Sequence, residues 1–247
     1  RSGARVRAVA GLDPQQMTPD EVCAFARISG QQDVSVAEAY VDALMNQGAT
    51  TEQIFLKLFA PAARLLGQLW ESDNFTFSDV TIGLSRIQQL VHAFSPFFES
   101  ESESKFNARS GLLVPMPGEH HSLGLMLVDE FFRRAGWNIW SPCDVMDNQL
   151  LDAVKQERFD MVGISVTCEL QVERLTTLIK GIRAVSANPS IVVMVGGRVI
   201  NECPRVTAVV GADATDTDGS NAVNLFEMHT EQPMVSNQAA SRAKLAN

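Results

Sequence analysis

The chain is poor in the features that mark several large functional classes. Its four cysteines, Cys23, Cys143, Cys168 and Cys203, lie far apart with no C-x-x-C pair. That argues against a zinc ribbon or a redox dithiol and suits a reducing compartment. No uninterrupted apolar run approaches the roughly 18 residues of a membrane span, and residues 1–10 lack the apolar core of a signal peptide. A cytoplasmic protein without membrane contact is expected. There is no basic stripe and no helix-turn-helix signature, and the net charge is -9. Direct contact with nucleic acid is therefore disfavoured, because phosphate neutralisation by Lys and Arg normally dominates such affinity. Arg1, Arg5 and Arg7 make only the N-terminus locally basic and read as solubilising charges. The Asp-rich run Gly211 to Gly219 lacks the terminal Glu and the ligand spacing of a calcium loop. It reads as the turn before a last helix capped by Asp216 or Asp218.

What is present is an ample supply of apolar residues, 45% of 247, enough for one large or two small packed domains. The first hundred residues carry helix signals. Thr18-Pro19-Asp20-Glu21 and Ser35-Val36-Ala37-Glu38 have the capping-box pattern. A third helix starts near Thr50 or Thr51, and Pro61 inside it predicts a kink. A fourth is expected over 77–98, giving a four-helix bundle over 18–98 after a flexible N-terminus, 1–17. The alternation of Glu and Ser near 99–106 has no apolar period and marks a linker over 99–110. Short apolar runs then alternate with helical segments. Strands are expected near 111–115, 137–141, 159–166, 190–195 and 206–210, and helices near 122–135, 147–157, 169–186 and 218–227. This pattern predicts an α/β domain over 111–228, a five-stranded parallel sheet of flavodoxin-like, Rossmann-like type, followed by a flexible tail, 229–247.

The most informative stretch is Pro115 to Gly124, PMPGEHHSLG, where the apolar run Leu112-Leu113-Val114 hands over to an amphipathic helix. A loop after a parallel strand lies at the carboxyl edge of the sheet, where open α/β folds bind ligands. Glu119, two residues before His121, is suited to fix the tautomer and basicity of a ligating imidazole. Two further segments stand at the ends of expected strands: Ser165-Val166-Thr167, about forty residues after Gly124, and then Gly196-Gly197.

Glu119-x-His121-x-x-Gly124, Ser165-x-Thr167 and Gly196-Gly197 together resemble the D-x-H-x-x-G, S-x-L, G-G pattern of the cobalamin-binding fold of methionine synthase and related corrinoid proteins. The resemblance implies base-off cobalamin, with His121 replacing the cofactor's own benzimidazole beneath cobalt. Glu119 and Ser165 would form a hydrogen-bonded relay behind it, and His120 and Ser122 would flank it. Gly124, Gly196 and Gly197 would let the backbone approach the nucleotide tail. Glu119 stands for the usual Asp and Thr167 for the usual Leu. His120 competes with His121, and the distance to Gly124 is what favours His121.

A helical bundle before such a domain is also part of the resemblance, as a cap over the upper corrin face. Trp70, in GQLWESDNFTFSDVTIG, occupies the place of the cap tryptophan of CarH-type photoreceptors, but Val80 and Thr81 stand where those have Glu-His. Arg64-Leu65-Leu66-Gly67 through Trp70, Asp79-Val80-Thr81 and the later GGRVINECP are similar to the AerR/PpaA group of cobalamin-binding antirepressors of photosynthetic bacteria. That resemblance implies a light- or cofactor-responsive, non-enzymatic regulator, without catalytic residues, whose partner is a CrtJ/PpsR-type transcriptional repressor. A corrinoid shuttle of a methyltransferase system is the enzyme-linked alternative, and a haem sensor using His121 or His120 is a third. His92 reads as an exposed or satisfied helix residue, with a cap-side ligand as its alternative, His229 as a solvated residue, and Arg198 as either a helix-start residue or a contact to the cofactor.

Overall fold

The computed structural model describes residues 17–100, 109–119, 122–215 and 219–231. The expectations placed on 1–16, 101–108 and 232–247, and on His120, His121, Asp216 and Asp218, lie outside the described residues. Helix α1 (Pro19–Gln31) starts as its sequence dictates: Thr18 Oγ1 accepts from the Glu21 N–H, and the Glu21 carboxylate accepts from the Thr18 N–H at 2.7 Å. Helix α2 (Val34–Asn46) differs from expectation. Asp33 caps it, its carboxylate taking both the Ser35 N–H at 3.0 Å and the Ser35 hydroxyl at 2.8 Å. The hydroxyl expected to cap is thus spent as a donor one position inside the helix.

The third helix runs in three parts, α3 (Thr51–Gln53), a π-helical segment over Ile54–Phe59 and α4 (Ala60–Glu71). Pro61 lacks an N–H, and the wider turn ahead of it, where the Ala60 N–H reaches the Phe55 carbonyl, takes up the register change. Thr76 and Asp79 exchange hydrogen bonds at the start of α5 (Phe77–Ser100). Gly83 of α5 crosses α1 at Gly30, so closely that a Cβ on Gly83 would lie 3.3 Å from the Gly30 backbone.

The second half alternates β1 (Ser110–Pro115), α6 (Leu123–Arg134), β2 (Asn138–Trp140), α7 (Asp147–Gln156), β3 (Met161–Ser165), α8 (Val172–Val185), β4 (Val192–Gly196), α9 (Arg198–Glu202), α10 (Val206–Val210) and α11 (Gly219–Glu231). The sheet is parallel, in the order β2-β1-β3-β4. It has four strands among the described residues, not five. The run Val206-Thr207-Ala208-Val209-Val210 is rich in β-branched residues but folds as α10, because Val206 and Val210 pack inward at helical spacing while Val209 is 71% exposed. Gly211, at φ 78°, ends the helix. Where a fifth strand would lie, Ala214 makes a single parallel bridge to Met194.

Each strand alternates its side chains between the two faces. Leu112, Val114, Val162, Ile164, Val193 and Val195 join the core that includes α7 and α8. Leu113, Met161 and Met194 face the other way, into a core shared with α6, α11 and the bundle. The bundle therefore packs onto the sheet domain: Phe98 meets Phe131 edge-on at 4.9 Å and Phe55 at 4.9 Å. Polar contacts set the direction of the helices. Gln88 Nε2 donates to Ser122 Oγ at 3.3 Å, Ser95 donates to Glu130, and Arg134 pairs with Glu52 at 2.7 Å. Hence α5 and α6 descend side by side from the carboxyl edge of the sheet, while α3 through α4 climbs toward that edge. No helix among the described residues is long and apolar enough to cross a membrane.

Candidate functional site

Register brings the three sequence segments level. Pro115 pairs with Ser165 and Ser165 with Gly196, so the loops after β1, β3 and β4 leave the sheet along one line at its carboxyl edge. Glu119 is 9% exposed and its carboxylate is filled by the loop after β3. It accepts from the Thr167 N–H at 2.9 Å, the Thr167 hydroxyl at 2.7 Å and the Cys168 N–H at 3.1 Å. The expected relay from Glu119 to Ser165 is not formed among the described residues. Parallel pairing holds the Ser165 backbone against Met116, whose N–H donates to the Ser165 carbonyl at 2.8 Å, and the chain must pass Gly118 before Glu119 can turn back. By then it has reached the level of Thr167, two residues further along the partner loop.

The glycines divide by role. At Gly197, φ is 96° and a Cβ would fall 2.4 Å from the Val166 carbonyl oxygen, so this turn requires glycine. At Gly124, in the first turn of α6, a Cβ would meet nothing within 4 Å. That open space belongs to a cavity of about 190 Å³ between the sheet face, α6, α11 and the bundle. Met161, Gly163 and Ser165 line it along β3, a depth of about 13 Å at strand rise. Gly196 and Gly197 lie at its mouth, Phe131 and Ala222 on its helical wall, and Leu56, Ala60 and Arg64 on its bundle side. The interior is apolar, and the polar lining is Ser165, Asn201 and Arg64.

Among the predicted site residues, Glu119 and Thr167 come together in one clamp, and Gly124, Ser165, Gly196 and Gly197 share the cavity. Ser122 meets the bundle through Gln88. Trp70 and Phe77 form an exposed pair, 50% and 68% accessible, with ring centroids 6.1 Å apart. Trp70 lies six residues beyond Arg64, about 9 Å further along α4 and away from the sheet. Thr81 is exposed one turn after Phe77, its hydroxyl bonded to the Phe77 carbonyl at 2.9 Å. Val80, expected to face the ligand, is 8% exposed and packs into the bundle core, because it sits about 100° around α5 from the exposed Thr81. His120 and His121 fall outside the described residues.

Sequence reasoning passed over Gly163, Asn201 and the Leu56, Ala60, Arg64 stripe. Gly163 carried a signal, since a glycine inside a strand marks close approach of another group. The stripe carried none, because nothing local tells which face of a bundle helix meets a separate domain.

Two acidic groups lie on α6 where it meets α5. Burial pushes the carboxyls of Asp129 and Glu130 upward from their ordinary ranges, despite Arg133 beside Asp129 and the Ser95 hydroxyl on Glu130.

Residues 109–224 match the family model described as the B12 binding domain. The chain is 29% identical over 177 residues, 72% of its length, to the uncharacterized 20.5 kDa protein in the bchF-crtJ intergenic region of Rhodobacter capsulatus, of which it covers 92%. Among solved structures it is similar to the monomethylamine corrinoid protein of Methanosarcina barkeri, at a TM-score of 0.72 and 16% identity over 85% of this chain and 100% of that one. The fold is thus that of a corrinoid-binding protein with a helical N-terminal region, and cobalamin binding is supported. The cavity fits the group: a glycine-walled apolar slot takes the planar base of a nucleotide tail, and the open step at Gly124 admits it beside the loop that carries His121.

Proposed function

We propose that this chain binds cobalamin base-off, with His121 as the lower cobalt ligand, and acts as a regulator that signals cofactor or light status to a transcriptional repressor by protein contact. The observation that carries the reading is the level alignment of Pro115, Ser165 and Gly196, which brings the loop after β1, with its Glu119 clamp, to the same edge of the sheet as the glycine pair at the cavity mouth. When bound, cobalamin supplies a cobalt whose upper ligand can be exchanged or photolysed.

The residues of this chain have separable tasks. Glu119, fixed by Thr167 and Cys168, holds the loop through 119 against the sheet edge and would anchor the segment from which His121 ligates cobalt. Gly124, Gly163, Gly196 and Gly197 leave room for the tail. Trp70 and Phe77, an exposed edge-on pair, would offer an apolar contact to the upper face. Neither Val80 nor Thr81 offers cobalt a strong ligand, so the upper position is left to water or a small group.

The regulatory part rests on the genomic place named for the Rhodobacter capsulatus relative, beside crtJ, together with the acidic charge of -9. A gel shift and a repressor pull-down, each with and without cobalamin, test it. Cofactor-dependent capture of the repressor without DNA binding supports the regulator. Methyl transfer to an added acceptor supports the corrinoid-shuttle alternative, and a haem spectrum in place of a corrin spectrum supports the third.

A further inference from the structure

Arg64 is the one charged side chain lining the cavity among the described residues. It belongs to the bundle, yet it stands at the carboxyl edge of the sheet. The Glu52 to Arg134 ion pair pins the start of the climbing helix to the bottom of α6. Twelve residues later, about 18 Å along the helix, Arg64 has climbed the full length of α6, back to the level of Ser122 and Gly124. Across the mouth stand Asn201 and the Gly196-Gly197 turn. Arg64 is exposed and forms no ion pair among the described residues. Below it the slot is apolar down to Met161. A ligand matching this gradient has a planar apolar base at one end and an anionic group where the base joins the rest of the molecule.

We infer that Arg64 recognises the phosphodiester of the cofactor's nucleotide loop, and so selects complete, nucleotide-bearing corrinoids over those that lack the loop. This rests on the corrinoid reading given above. A guanidinium suits the task because its planar fork can give two hydrogen bonds to one phosphate, and such charge-assisted bonds are stronger than neutral ones. Since Arg64, Leu56 and Ala60 are carried by the bundle and the rest of the slot by the sheet domain, filling the slot also ties the two parts together.

The test titrates the full chain, wild type and Arg64→Met, with aquocobalamin and with diaquacobinamide, which has no nucleotide loop and no phosphate. Binding is followed by visible spectroscopy, and circular dichroism confirms folding of the variant. Arg64→Met should weaken aquocobalamin by roughly 10-fold and leave cobinamide unchanged, with Arg64→Lys in between. Wild-type protein that binds both corrinoids, with Arg64→Met altering the two alike or neither, overturns this inference alone. Wild-type protein that binds neither overturns the corrinoid reading and the inference with it.

Discussion

Glu119 and Thr167, 48 positions apart in sequence, meet side chain to side chain at 2.7 Å, and the Thr167 N–H adds a second bond to the same carboxylate oxygen at 2.9 Å. The pair closes the loop after β1 onto the loop after β3, directly before the two histidines. A buried carboxylate held by several donors loses affinity for its place when any donor goes, since burial leaves the others undersatisfied.

Thr167→Val removes the hydroxyl and keeps the shape. The variant should fold, lose roughly 1 kcal/mol of stability and bind cobalamin about 10-fold more weakly, the scale expected of groups that orient a metal ligand. Thermal melts with and without cofactor check both parts. Ser165→Ala should affect the loop less, because Ser165 lines the cavity and does not hold Glu119.

Gly124 and Gly197 should respond oppositely to alanine. Gly124→Ala adds a methyl group to a helix turn with free space, so stability should hold or rise by up to about 1 kcal/mol, while the methyl group intrudes on the cavity and weakens cobalamin binding. Gly197→Ala forces a positive φ on alanine and a Cβ at 2.4 Å from the Val166 oxygen. It should destabilise the fold by about 1–3 kcal/mol. Melting curves beside binding titrations separate the two.

Much of this was legible beforehand, and the reasons differ by element. The strand ends at Pro115, Ser165 and Gly196 could be placed because buried parallel strands show as continuous apolar runs followed by glycine or polar turns. The identity of the partner of Glu119 could not, since it depends on how far each loop travels after its strand, and only two residues separate Ser165 from Thr167. The stretch 206–210 misled because β-branched composition favours strands locally, while packing of Val206 and Val210 against the core decides in favour of α10. The burial of Val80 and the approach of Arg64 both depend on the rotation of bundle helices, which the pattern of apolar residues leaves ambiguous where two cores meet.

Trp70 and Phe77 form an exposed edge-on aromatic pair on the bundle, which the proposed function sets over the upper face of the corrin. Aquocobalamin should bind more tightly than adenosylcobalamin in the dark, because a bulky upper ligand would collide with that pair. Trp70→Ala should narrow the preference without unfolding the bundle, since half of the ring surface is already exposed. Equal or tighter adenosylcobalamin binding by the wild type would contradict the role given to Trp70.

Glu130 makes stability depend on pH. Burial raises its carboxyl above the ordinary value of 4.5, so the folded chain holds this proton more tightly than the unfolded chain. The stabilising contribution is then fully present below 4.5 and is lost as pH rises through the higher folded value. Asp129 acts in the same direction. Glu130→Gln, which keeps an oxygen for the Ser95 hydroxyl, should melt higher than wild type at pH 7, with the gap closing toward pH 4. Melting temperatures of both proteins across that interval provide the check, and a gap that widens toward acid would refute the assignment.

The central claim is tested most directly by adding aquocobalamin to the wild type, His121→Ala and His120→Ala, and recording the visible spectrum after gel filtration. The account predicts a base-off, histidine-ligated corrin spectrum retained by the wild type and by His120→Ala, and lost or converted to a water-ligated spectrum in His121→Ala. Retention of the histidine-ligated spectrum by His121→Ala, or wild-type protein that emerges colourless, would contradict it.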